Sequence, residues 1–206
     1  MRTIKRWLAV WVMAFGLAGL AAAQEAAQSP EALVKDTTEK VLAALENHQD
    51  EIKANPQAVM PLVRDIVLPQ FDFVQMSKLV LARNWREASP EQQQRFVEEF
   101  RELLIRTYGT SLSQYSGQKV NYLPNPPSPQ PDRATVRTEI VQPSGPPIPV
   151  VYQLRQGKDG WKVFDVVIEG VSLVQNYRST FNSEIQQGGI DGLISKLSER
   201  NRQGRS

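Results

Sequence analysis

The chain has 206 residues, with 24 Lys and Arg against 22 Asp and Glu, one histidine and no cysteine. Disulfide scaffolds, thiolate metal sites and cysteine nucleophiles are excluded. A net charge of +2 is too small for a basic nucleic-acid surface.

The N-terminus reads as a secretory signal. Arg2, Lys5 and Arg6 precede an unbroken apolar run from Trp7 to Leu20, and Ala21-Ala22-Ala23 supplies small residues for cleavage after Ala23. The run is too short and wrongly flanked for a membrane span. The first 23 residues carry three basic and no acidic residues, so the mature chain holds 21 basic against 22 acidic, a net charge of −1. Residues 24–206 are long enough for one domain with an ordinary core. The expected product is periplasmic, monomeric and soluble, and binds no nucleic acid.

Helices come first. Ser29 caps a helix that opens on Pro30, with Val34, Val41, Leu45 and Ile52 at near-helical spacing. Asn55-Pro56 restarts the chain, and Pro69 stops the stretch containing Val59, Met60, Val63, Ile66 and Val67. The next segment, Phe71 to Leu81, is apolar on more than one helical face and needs apolar neighbours on two sides. Ser89-Pro90-Glu91-Gln92 is a capping box opening the longest helix, whose stripe includes Phe96, Phe100, Leu103, Leu104, Tyr108, Leu112 and Tyr115.

Strands follow. Lys119–Leu123, Arg133–Val141, Ile148–Arg155 and Trp161–Ile168 show β patterning, with a Gly157-Lys158-Asp159-Gly160 hairpin turn before the last. Nine of the 14 prolines lie between Pro124 and Pro149, in the two inter-strand connections. Strict alternation puts Trp161, Val163, Asp165, Val167 and Glu169 on one face of the fourth strand, and Phe164, Val166 and Ile168 on the other. Ser172-Leu173-Val174-Gln175 has the pattern of another capping box. Val174, Tyr177, Phe181 and Ile185 form a helical stripe, ended by Gly188-Gly189, and Asp191 can cap a last short helix. Helices, then a meander, then helices argue for an α+β fold with helices packed on an antiparallel four-stranded sheet.

Tools for catalysis are few. His48 stands among polar residues at a helix end and reads as solvated. There is no G-x-S-x-G elbow, no metal-ligand spacing and no cofactor motif. Asp165, inside an apolar strand, could serve as the base of a small enzyme. Equally, it could pair with Arg178 or accept backbone donors.

The run Trp161-Lys-Val-Phe-Asp165-Val-Val-Ile-Glu169-Gly170-Val171-Ser172-Leu173, with Asn176-Tyr177-Arg178, Phe181 and Gly189-Ile-Asp-Gly-Leu193, resembles the MlaC or toluene-tolerance family. So do Phe71-Asp-Phe73, Leu79–Leu81, Trp85, Ser89-Pro90-Glu-Gln92, Phe96, Phe100 and Thr107-Tyr108, and the resemblance spans about Ser29 to Leu197. The proline-rich connections depart from the family pattern. The resemblance implies a curved, NTF2-like sheet and helices enclosing an apolar cavity. It also implies a periplasmic phospholipid carrier between an outer-membrane lipoprotein complex and an inner-membrane ABC transporter, with no chemistry on the cargo. Expected lining residues are Phe71, Phe73, Met76 and Val80; Phe100, Leu104 and Tyr108; Tyr152, Val163, Phe164, Val166 and Ile168; and Val174, Tyr177 and Phe181. Arg178 is the candidate headgroup contact, or an ion-pair partner of Asp165 or Glu169. A non-carrying adaptor and a hopanoid cargo are the remaining alternatives. From sequence, a lined pocket and a filled core look the same.

Overall fold

The computed structural model describes residues 28–203, so the expected signal segment and its cleavage site lie outside the described residues. Helix α1 spans Pro30–Asn47, and the Ser29 hydroxyl accepts the Ala32 amide as its N-cap. Helix α2 (Gln49–Ala54) follows at once, and exposed His48 sits between the two, its Nδ1 3.2 Å from Glu51. The Asn55 side chain accepts the Gln57 amide and starts the next segment. This segment begins as α3 (Val59–Leu62), widens to a π turn over Val63–Val67 and tightens to a 3-10 turn over Leu68–Gln70. Helix α4 (Phe73–Leu81) is capped by Asp72, α5 (Arg83–Glu87) is one short turn, and α6 spans Pro90–Gly109. Both halves of the Ser89–Gln92 capping box form.

The sheet is an antiparallel meander in the order β1-β2-β3-β4-β5. Strands β1 (Lys119–Leu123), β2 (Arg133–Val141), β3 (Ile148–Gly157) and β4 (Gly160–Ile168) match the four expected from sequence. A fifth strand, β5 (Val171–Ser172), corrects the expected count, since two residues are too few to show alternation. It pairs with the end of β4 across a two-residue turn, Glu169-Gly170, with φ of 50° and 83°. Positive φ at both positions is what a tight hairpin twisted like its strands requires.

Alternation fails within β4. Leu154 pairs with Val163 while the next residue back, Gln153, pairs with Asp165, so Phe164 has no partner and forms a bulge. Past a bulge the faces exchange. Val163 therefore shares its face with Val166 and Ile168, and Asp165 turns to the other face.

Helix α7 (Leu173–Gln203) is broken at Gly189, whose φ of 66° and ψ of −175° belong to a region essentially reserved for glycine. The core falls into three clusters. Phe96, Phe100, Phe181, Leu193, Ile194 and Leu197 centre a helix-only cluster of α4, α6 and α7. Val136, Val150, Leu154, Val163 and Val166 cover the inner sheet face beneath Val34 of α1. Leu45, Ile52, Val59, Val63 and Ile105 join α1, α2 and the α3 segment to α6.

Two backbone sites give opposite stability predictions. Ala82 is held at φ 50°, a strained value for a residue with a Cβ. Ala82→Gly should raise unfolding stability in urea by about 1 kcal/mol. No heavy atom lies within 4 Å of a Cβ built on Gly189, so Gly189→Ala should cost about 1–3 kcal/mol through backbone strain alone.

Candidate functional site

The inner sheet face and the helices do not close on each other. Between them lies a hollow of about 700 Å³, within the roughly 300–1,000 Å³ span of sites that enclose small ligands. Helix α1 forms one wall through Leu33, Val34, Val41, Leu42 and Leu45. The π-widened segment and the turn after it add Val63, Val67, Leu68 and Phe71. The sheet floor is built in rows, because register pairs Tyr152 with Val166, and aligns Thr138, Val150 and Ile168 across three strands beside them. Leu104, Ile105, Tyr108 and Leu112 close the far side. Among the described residues, no Asp, Glu, Lys, Arg or His lines this wall. Its polar members are hydroxyls and a group of amides, among them Gln114, Gln118 and Gln142. The last two flank the first register pair of β1 and β2, Lys119 with Val141, and so mark one polar rim.

The few polar groups inside are neutral and engaged. The Thr138 hydroxyl donates to the Val150 carbonyl at 3.1 Å and is 1% exposed. Burial pushes the Tyr152 phenol up to about 12, opposed in part by its hydrogen bond with Thr138. The Tyr108 phenol is also raised, first by burial and then by Tyr177, which hydrogen-bonds to it from behind the wall. All three groups present an uncharged surface to the hollow near neutral pH.

Nine residues expected to line a cavity do so: Phe71, Phe73, Met76, Leu104, Tyr108, Tyr152, Val163, Val166 and Ile168. Six stand apart from it. Val80, Phe100, Val174 and Phe181 are buried in the helix-only cluster, and Phe164 and Tyr177 pack against that cluster. Phe100 is held there by rings on three sides, with centroids 5.6 Å from Phe96, 5.3 Å from Tyr177 and 5.7 Å from Phe181. The bulge removes Phe164 from the sheet's inner face, and its ring instead lies under the Arg133 guanidinium at 4.7 Å. Arg178 is exposed on α7, lines a separate notch, and forms no ion pair with Asp165 or Glu169 among the described residues.

Sequence reading missed the α1 wall as part of the site. Its apolar stripe was visible, but Thr37 and Thr38 interrupt it, and both face the hollow. Thr38 also hydrogen-bonds to Tyr122 of β1, which ties α1 across the sheet.

Asp165 has a positional role. Its carboxylate accepts the Ser172 hydroxyl at 2.6 Å and the Val174 amide at 3.0 Å, while the Ser172 oxygen accepts the Gln175 amide at 3.1 Å. Both oxygens are committed to the start of α7, on the face turned away from the hollow. Among the described residues no cluster of three His, Cys, Asp or Glu could hold a metal ion.

Comparison with known proteins places this architecture. The family model described as MlaC protein matches residues 35–199. The toluene tolerance protein Ttg2D of Pseudomonas putida is 31% identical over 189 residues, covering 91% of this chain and 85% of the relative. The intermembrane phospholipid transport system binding protein MlaC of Haemophilus influenzae is 27% identical over 199 residues, covering 95% and 93%. A solved phospholipid-binding protein from Ralstonia solanacearum, in complex with a phospholipid, superposes with a TM-score of 0.78 at 34% identity over 85% of this chain and 98% of that one.

Two predictions test the site's chemistry. Asp165→Asn should cost roughly 1.5–3 kcal/mol in urea unfolding, as expected for weakened hydrogen bonds to a buried carboxylate, and leave bound apolar ligand in place. The Tyr152 phenol keeps its proton in the native state up to about pH 12, whereas the unfolded chain releases it near pH 10. The contribution of Tyr152 to stability is therefore complete below about pH 10 and is lost at about 1.4 kcal/mol per pH unit between about pH 10 and pH 12. Tyr152→Phe should flatten that alkaline slope by this amount, and an unchanged slope would refute the assignment.

Proposed function

We propose that this chain, which belongs to the MlaC family, is a periplasmic phospholipid carrier that holds acyl tails in the hollow and leaves the headgroup at its rim. The observation that carries the reading is the uncharged, mainly apolar wall around about 700 Å³ of space. Acyl chains need such a wall and nothing more, since each buried methylene contributes ~0.8 kcal/mol. The relatives support the cargo: one is a phospholipid transport binding protein, and another was solved with a phospholipid. The signal-like first 23 residues support export.

In this reading the lining is formed by the nine expected residues on the wall together with the α1 residues. The headgroup rests at the amide rim of Gln114, Gln118 and Gln142, in place of the Arg178 contact first expected. The carrier passes lipid between an outer-membrane complex and an inner-membrane ABC transporter and catalyses no reaction on it. Two tails represent ~20 kcal/mol of gross transfer energy, about the ceiling for non-covalent affinity. Release into water is therefore extremely slow, and handover happens by contact, with the mouth of the hollow against the next site.

Protein purified without detergent should yield phospholipid on organic extraction, identified by mass spectrometry. Leu42→Trp with Ile148→Trp fills the hollow from opposite walls and should remove most of that lipid while circular dichroism stays unchanged. Phe181→Leu, in the solid helical cluster, should lower stability by about 1–2 kcal/mol and keep the lipid. A folded, filled variant that retained its full lipid content would reject the carrier reading.

A further inference from the structure

Helix α1 covers one long side of the hollow, yet little packing holds it there. Of its 18 residues only Val34 and Leu45 are buried, whereas the nine-residue α4 buries four, Met76, Ser77, Val80 and Leu81. Leu33, Val41 and Leu42 line the hollow and stay partly exposed. The neighbouring wall is tied more firmly. Arg64, in the π turn, meets Glu102 of α6 with two hydrogen bonds of 2.8 Å, and Val59 and Val63 pack with Ile105. The far end of that segment is fixed to β4, where Lys162 donates to the Pro69 carbonyl and the Asp72 amide donates to the Val163 carbonyl.

Among the described residues, the side-chain hydrogen bonds between α1 and the sheet run to one edge. Asn125 Nδ2 donates to Glu31 at 3.4 Å, Thr38 bonds Tyr122, and the Tyr115 phenol donates to Glu46 at 3.2 Å. Those partners lie after, within and before β1, so α1 runs antiparallel along that edge strand. No residue of β1 is buried. The seam between α1 and β1 is therefore closed by exposed hydrogen bonds and not by packed side chains, and such contacts open at low cost. The helix itself is weakened at the same place. The Thr37 and Thr38 hydroxyls donate back to the Leu33 and Val34 carbonyls at 2.7 and 2.8 Å, an arrangement that bends a helix. At its end, His48 joins α1 to α2 with a backbone φ of −109° and ψ of 18°, outside the helical region, while Ile52 of α2 is anchored in the core.

We infer that α1 is the lid of the carrier site, an inference that rests on the phospholipid reading above. The helix swings on the His48 joint, the α1–β1 seam parts, and an acyl tail enters sideways. The strand stays in place, since β1 pairs with β2 through five residues. The parted seam suits this cargo. Leu33, Val41 and Leu42 form one apolar lip and Val120 of β1 the other, and the Gln114 and Gln118 amides stand at the Tyr115 end of the same seam for the headgroup. A tail that enters from the side does not have to thread lengthwise past the rim. The outer face of α1 already carries exposed Lys35, Glu39 and Lys40, so the movement takes no charge out of water.

The chain has no cysteine, so an introduced pair can be cross-linked selectively. Glu31→Cys with Asn125→Cys, joined by a short bismaleimide that carries a reducible disulfide, clamps the seam of the delipidated mature protein. Uptake of a fluorescent phosphatidylethanolamine from phosphatidylethanolamine–phosphatidylglycerol vesicles should slow by about tenfold or more and recover when the linker is reduced. Clamped after loading, the protein should keep its lipid through repeated washes with unlabelled vesicles. Glu184→Cys with Lys196→Cys, an ion-paired couple within α7, is the cross-linked control and should load at the unclamped rate. Hydrogen exchange of the unmodified protein gives an independent reading. Without lipid, the α1 amides should exchange about tenfold or more faster than those of α6, and they should slow on loading. The lid is overturned by clamped protein that loads at the unclamped rate, by equal slowing in the control, or by α1 amides as protected as those of α6 before loading. Failure of the carrier reading looks different: the unmodified protein then takes up no lipid, clamped or not, and the lid falls with it.

Discussion

The single unpaired residue in β4 governs the arrangement around it. With Phe164 bulged out, the strand presents Val163, Val166 and Ile168 to the hollow and Asp165 to the opposite face. A regular strand could present Val163 and Asp165 only together. The exchange lets one strand floor an apolar cavity and also cap a helix. Asp165 gathers Ser172 and the Val174 amide, the Glu169-Gly170 turn brings them within reach, and Leu173 is then set into the wall. The bulge also serves the other side. The Val163 carbonyl accepts the Asp72 amide at 2.8 Å, and Asp72 in turn caps α4 and pairs with Arg155 at 2.9 Å. Two helices therefore take their starting points from three consecutive residues of β4.

A hollow needs something to keep it open. Apolar side chains that face such a space lack the packing contacts that a filled core would give them. Collapse is resisted at the edges, where α1 is propped away from the sheet by polar contacts: Tyr122 with Thr38, Tyr115 with Glu46, and Asn125 with Glu31. The helix-only cluster, ring-packed around Phe96, Phe100 and Phe181, holds α4, α6 and α7 together and lends Met76 and Leu104 to the wall of the hollow. Occupation by an apolar guest then recovers the contacts that the wall cannot make with itself.

The legible parts of the fold were those with an uninterrupted pattern. Ser29, Asn55 and Ser89 announced helix starts because a side-chain oxygen must satisfy free amides there. Strands β2 and β3 alternate cleanly, and Tyr152, the one lining residue expected from them, does face the hollow. Strand β4 is apolar on both parities, so nothing in its letters marks which residue is left unpaired. The surplus apolar surface of Phe71–Leu81 was readable, and it does divide, with Phe71 and Phe73 toward the hollow and Val80 toward α7. For Phe100, Val174 and Phe181 the stripe showed burial but not what they were buried against. That depends on which helices meet face to face, a relation between segments far apart in the chain.

The absence of charge from the wall bears on what a carrier can select. With Tyr108 and Tyr152 held neutral and no ionised group facing the hollow, binding energy scales with apolar area. It therefore responds to tail length and number, and headgroup charge is felt only at the amide rim. Such a site cannot set the direction of transport, since every step is the same hydrophobic transfer run forward or backward. Direction has to come from whatever meets the mouth.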